Sequence, residues 1–195
     1  MKSLFLALAL GSGMYAASIV DQSQLTATRD MARFNQSGLA QSFAPSYSNV
    51  SGAAIQLTTG LGTGTQGDIT ISLYDNLPSA NGQLLASATA TGVTAVGSGE
   101  AWATAYWTPV VVTASNTYYL VFTGTNPLQG LAGATNNPYG YGNTFANDYG
   151  SFPSFDYTFQ TFSDAGSSET PEPATSAAMV LGCATLAFVR KRFSR

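Results

Sequence analysis

A chain of 195 residues, 45% apolar and 9% charged, is long enough for one domain with a buried core. At a net charge of −3 it carries seven Lys and Arg, five of them at its ends (Lys2, Arg190, Lys191, Arg192, Arg195), and none between Phe34 and Val189, which excludes nucleic-acid binding because phosphates are neutralised by clustered cations. With no His anywhere, no Lys between the ends, and Cys183 as the sole Cys, the chain is also excluded from Ser-His-Asp, Cys-His, His-ligated metal and Schiff-base chemistry and from an intramolecular disulfide.

Residues 1–18 read as a secretory signal peptide: Lys2 precedes the apolar run Leu4 to Leu10, and small residues around Ala16 to Ser18 offer the cleavage point. The run is too short for an uncleaved anchor, since spanning needs about 20 apolar residues. A single domain over residues 19–165 follows. In it, Thr26 to Phe34 (TATRDMARF) is the one segment where a helical turn is expected. Gln41 to Ala44 and Ala53 to Thr58 are strand candidates, the second presenting Ile55 and Leu57 on one face. The Gly/Thr run Thr59 to Gly67 reads as a loop. It lacks the Lys and following Ser/Thr of a phosphate-binding P-loop.

Asp68 to Tyr74 (DITISLY) alternates strictly, with Ile69, Ile71 and Leu73 on one face and Asp68, Thr70, Ser72 and Tyr74 on the other, the pattern of a half-buried strand. Asn76, Pro78, Asn81 and Gly82 break the chain before a weaker strand at Gln83 to Ala90. Ala101 to Thr113 follows, with Trp102 and Tyr106 on one face, Trp107 on the other, and Pro109 at an edge or bend. Thr117 to Thr123 (TYYLVFT) is apolar on both faces and belongs at the centre of a sheet. The Gly/Asn/Tyr-rich stretch Asn126 to Phe155 reads as a long loop, and Phe155 to Phe162 as a closing strand with Phe155, Tyr157 and Phe159 on one face. Six to eight short strands predict an all-β antiparallel β-sandwich.

Candidate sites are few. Tyr139, Tyr141, Phe145 and Tyr149, interleaved with Gly and Asn, could stack on sugar faces while neighbouring amides satisfy hydroxyls. The alternative is that these rings fold back and cap the core. Asp75 with Asn76, and Asn147 with Asp148, are the weak candidates for oxygen ligation of calcium. The competing role is the Asx-turn, in which such side chains bond their own backbone. A glycan hydrolase would need two carboxylates, and Glu100 with Asp68, Asp75, Asp148 or Asp156 could supply them, but nothing in the spacing selects a pair. Neither a catalytic residue, a metal site nor a cofactor is therefore assigned.

At the C-terminus, residues 166–195 contain Pro171-Glu172-Pro173, the uncharged span Ala174 to Val189, and the basic cluster Arg190-Lys191-Arg192. As a helix that span covers about 24 Å, short but insertable against a hydrocarbon core of about 30 Å. The basic cluster would stay cytoplasmic, leaving the domain outside that membrane. These parts, in this order, resemble the PEP-CTERM sorting signal of Gram-negative bacteria. The resemblance implies recognition by an exosortase after signal peptidase has acted, transient residence in the inner membrane, and release to the cell surface or an exopolysaccharide or biofilm matrix. Separately, Gln41-Ser42-Phe43, Ile69 to Asp75, Pro78 and Tyr118 to Val121 resemble the choice-of-anchor R type of exported domain, which implies a jelly-roll-like sandwich without an established activity. Together these expectations describe a non-enzymatic structural or adhesive protein, with a polysaccharide as possible partner. The second expectation is a carbohydrate-binding module using the aromatic loop.

Overall fold

The computed structural model describes residues 18–58, 65–95 and 101–164, and within them the chain is all-β. The signal peptide, Glu100, Cys183, the sorting-signal residues Pro171, Glu172, Pro173, Arg190, Lys191 and Arg192, and the expected transmembrane helix lie outside the described residues. Among those described, no helix is long and apolar enough to cross a membrane.

Two antiparallel sheets are built from strands β1 (Ser18–Gln24), β2 (Arg29–Arg33), β3 (Leu39–Phe43), β4 (Asn49–Thr58), β5 (Thr65–Tyr74), β6 (Leu84–Ala95), β7 (Ala101–Val111), β8 (Tyr118–Gly124), β9 (Gly130–Thr135), β10 (Thr144–Ala146), β11 (Gly150–Phe152), β12 (Phe155–Tyr157) and β13 (Phe159–Asp164). One sheet runs β1-β13-β4-β9-β12, with β7 added to β4 and β2 to β9; the other runs β11-β10-β3-β8-β5-β6. From β3 onward the chain passes repeatedly from one sheet to the other. Each sheet turns an apolar face to its partner: Val50, Ile55, Leu57, Leu131, Tyr157 and Phe159 meet Leu39, Phe43, Ile69, Ile71, Leu73, Leu120 and Phe122 in one buried cluster.

The alternation of β5 has the consequence expected of it. Ile69, Ile71 and Leu73 are fully buried between the sheets. Their outward neighbours form a hydroxyl ladder with β6, Thr70 to Thr89 and Ser72 to Ser87, both at 2.8 Å. The central position of β8 between β3 and β5 also holds. Its inward Leu120 and Phe122 join the main core, while Val121 and Tyr119 join a second apolar cluster with Ala40 and Phe145. In β7, pairing with β4 jumps from Gly52↔Tyr106 to Val50↔Val110, so Trp107, Thr108 and Pro109 make a bulge. Trp107 packs on the core and donates its Nε1–H to the Val50 carbonyl at 3.0 Å. Pro109 lies where no ladder hydrogen bond is asked of it.

Three expectations are corrected. The segment expected to hold a helical turn contains β2, which pairs with β9 from Arg29↔Gly133 to Arg33↔Gly130 and buries Ala32. The helix preference of its Ala, Met and Arg is a weak prior that sheet pairing overrides. The end of the Gly/Thr run is strand as well, since Thr65, Gln66 and Gly67 open β5. The stretch expected to be a long loop contains β9, β10 and β11. Two of its glycines sit where neighbours crowd the backbone: a Cβ on Gly133 would stand 2.4 Å from the Asp156 carbonyl oxygen. On Gly142 it would stand 1.9 Å from that of Ser42. The closing strand is divided at Thr158, which accepts from Gln56 N and donates its own N–H to Ala132 O, both at 2.9 Å, and so joins β4 to β9.

Candidate functional site

Two sites emerge from this packing, one closed and one open. The closed site is a polar network between the sheets. Gln41, on the inward face of β3, and Asp156, in β12, are both fully buried. Gln41 Nε2 donates to Asp156 Oδ1 at 3.0 Å, and Gln41 Oε1 accepts from Thr144 Oγ1 at 2.9 Å and Tyr157 N at 3.0 Å. The other Asp156 oxygen accepts from Tyr139 N at 2.8 Å. With its amide turned to satisfy its neighbours, Asn137 also donates to that oxygen, at 3.1 Å. Burial pushes the Asp156 carboxyl above the ordinary range, against the opposing pull of the Tyr139 N–H and the Gln41 amide. A buried carboxylate with this many donors is satisfied rather than reactive, and it joins strands of both sheets to the segment preceding β10.

Tyr139 extends the network. Its hydroxyl donates to Gln22 Oε1 at 2.8 Å and accepts from Ala44 N at 3.3 Å. The ring stands edge-on to Phe159 at 5.1 Å. Burial pushes its hydroxyl up to about 12, against the Ala44 N–H and with small additions from neighbouring Asp21, Asp156 and Tyr141. Phe145 is buried in the second apolar cluster, where it meets Tyr119 edge-on at 5.8 Å. Tyr149 packs against that cluster half-buried, and burial raises its hydroxyl, helped by Tyr74. Tyr141 alone of the four expected rings is open to solvent, at 75% exposure. The aromatic stretch is therefore divided between the core, the outer face of the six-stranded sheet, and the surface.

The calcium candidates are engaged in hydrogen bonds, local for Asp75 and Asn76 and to a segment 111 residues away for Asn147 and Asp148. Asp75 accepts from Gln83 N at 2.6 Å, and Asn76 from Leu77 N at 2.8 Å. Asn147 accepts from Gln36 Nε2 at 3.2 Å, and Asp148 from the Ser37 hydroxyl. Asn147 and Asp148 also have positive φ, of 51° and 59°, in the tight β10–β11 turn, a conformation that Asn and Asp tolerate. No three His, Cys, Asp or Glu side chains converge among the described residues. Of the carboxylates considered for hydrolysis, Asp68 lies within β5 and accepts from Gly92 N at 2.8 Å, and Asp75 directly follows the strand. Asp148 sits in the turn and Asp156 in the core.

The open site is a cleft of about 300 Å³ between β2 and the β10–β11 hairpin, with Arg29, Asp30, Gln36, Asn147, Phe152 and Phe155 in its wall. Sequence reasoning missed it, because its strands lie in the two segments read as helical turn and loop. The available signal was the placement of Arg29 and Arg33, the only basic residues between positions 18 and 164.

The fold defines a sandwich-like all-β protein of two antiparallel sheets, with a buried polar network between them and an open cleft beside β2. Compared with family models, with curated proteins and with solved structures, the chain matches none of them.

Proposed function

We propose that this is an exported, exosortase-sorted surface or matrix protein, non-enzymatic, whose jelly-roll-like sandwich serves a structural or adhesive role in an exopolysaccharide or biofilm setting. The single observation that carries the reading is the tail, in which Pro171-Glu172-Pro173, an uncharged span and Arg190-Lys191-Arg192 follow one another. The domain supports it in kind. Its repeated passage between sheets fits a jelly-roll-like course, and its best-formed polar cluster is closed to solvent and hydrogen-bonded throughout, which suits a scaffold. On this reading the protein reaches the inner membrane of a Gram-negative cell, is processed by signal peptidase and exosortase, and ends outside the cell.

A second reading, a carbohydrate-binding module, is favoured by the exposure of Tyr141, whose ring lies edge-on to Tyr139 at 5.9 Å and is open to a ligand. Retention of the purified protein on a panel of immobilised polysaccharides tests both. An adhesive scaffold is retained on at least one polysaccharide, and Tyr141→Ala leaves that retention unchanged. A module reading glycans through this ring loses most of its retention in the same variant, about tenfold if stacking contributes about 1.5 kcal/mol. Failure of the wild-type chain to be retained on any member contradicts an adhesive role.

A further inference from the structure

We propose that the cleft between β2 and the β10–β11 hairpin binds a sugar ring that carries a carboxylate, of the hexuronate kind. The proposal rests on the adhesive reading above and assigns it a place and a ligand chemistry.

Charge is the first argument. Between positions 18 and 164 two arginines stand against eight carboxylates, and both arginines are on β2. Among the described residues neither guanidinium is engaged in an ion pair. Arg29 lines the cleft, so one of the two cations of this anionic domain is offered at a concave surface. A guanidinium presents a planar fork that a carboxylate matches with two parallel hydrogen bonds.

The rest of the wall selects what carries the carboxylate. Phe152 and Phe155 stand edge-on at 6.4 Å and form an apolar wall, with Phe152 36% exposed on β11. Such a wall suits the C–H face of a pyranose. Asp30 spends one oxygen on the Thr58 hydroxyl, and its second oxygen is left to accept from a ligand hydroxyl. Asn147 uses its carbonyl on Gln36, which leaves its amide hydrogens as donors.

Donors, an acceptor, a cation and an apolar wall together describe a hydroxylated ring with one negative charge. An aliphatic carboxylate would leave Asp30 and Asn147 unmatched, and a neutral sugar would leave Arg29 unmatched. A doubly charged phosphate would meet the Asp30 carboxylate. The volume lies at the low end of the range for small-ligand sites, which suits a short saccharide.

Calorimetric titration of the full-length chain with a galacturonate trisaccharide and with its neutral galactose counterpart tests this, in the wild type and in Arg29→Gln, Phe152→Ala and Tyr141→Ala. The acidic trisaccharide should bind about tenfold tighter than the neutral one at low salt, as expected for one charge-assisted contact. Arg29→Gln should abolish that difference, Phe152→Ala should weaken both ligands, and Tyr141→Ala should change neither. Melting curves check folding, which substitution of exposed Arg29 or Phe152 should leave intact. Equal affinities for the two trisaccharides, or an unaltered preference in Arg29→Gln, overturn the proposal. Absence of binding to either also overturns it, and if polysaccharide retention persists in that case the adhesive reading stands without the cleft. Loss of binding in Tyr141→Ala overturns the cleft in favour of the Tyr141 site.

Discussion

Asp156→Ala should destabilise the domain by about 2–4 kcal/mol, a large fraction of the about 5–15 kcal/mol that holds an ordinary domain folded. The carboxylate accepts from Gln41 Nε2 and from Tyr139 N, and from Asn137 once its amide is turned. Truncation leaves these donors without their acceptor in a place where water does not replace it. Asp156→Asn should cost nearly as much, because one amide edge becomes a donor facing either Gln41 Nε2 or the Tyr139 N–H. Gln41 cannot turn its own amide to compensate, since its Oε1 holds Thr144 and Tyr157.

The same carboxylate gives a signed pH dependence. Burial raises its folded-state pKa above the unfolded value, so the folded state holds the proton more tightly than the unfolded chain. That contribution is fully present below the ordinary carboxylate range and is lost as pH rises through the raised folded value. Denaturant unfolding at a series of pH values should therefore show the difference in stability between wild type and Asp156→Asn growing on acidification through that window. Parallel pH profiles would remove Asp156 from the account.

Tyr157→Ala should be the most damaging single truncation, at about 3–5 kcal/mol. Tyr157 is fully buried between the sheets, its ring edge-on to Phe122 at 6.0 Å and its hydroxyl donating to the Phe145 carbonyl at 3.2 Å. Removing the ring opens a cavity in the main core, and the loss of the hydroxyl frees β10 from β12. Tyr157→Phe separates the two effects, because it keeps the ring and removes one hydrogen bond, at a cost of about 1 kcal/mol. Thermal melting should show the difference as a fall of about 2–4 °C for Phe and of 10 °C or so for Ala, roughly. Equal melting temperatures for the two variants would mean that the core closes over the missing ring.

What the sequence disclosed depends on whether a residue's role was local. The period of two in β5, the doubly apolar β8, and the bend at Pro109 are written in neighbouring residues, and each appears in the fold as expected. By contrast β9 is hidden, because its Gly and Ala residues are small to admit flanking backbones, a demand made by distant strands. β2 carries helix-favouring residues that only pairing with β9 makes extended. The Asp156–Gln41 contact joins positions 115 residues apart, and no spacing rule could have connected them. The aromatic stretch was legible as a set of rings, but which ring is buried is decided by where the two sheets meet, and this places Tyr139 inside and Tyr141 outside.

The claim that the domain is sent outward by a tail that is read and removed is tested most directly by mass spectrometry of the mature protein's C-terminus, taken from native cells. A chain truncated near Pro171 to Ala174 is the predicted result. A chain that retains its tail through Arg195 would contradict the account and make the same segment a permanent anchor.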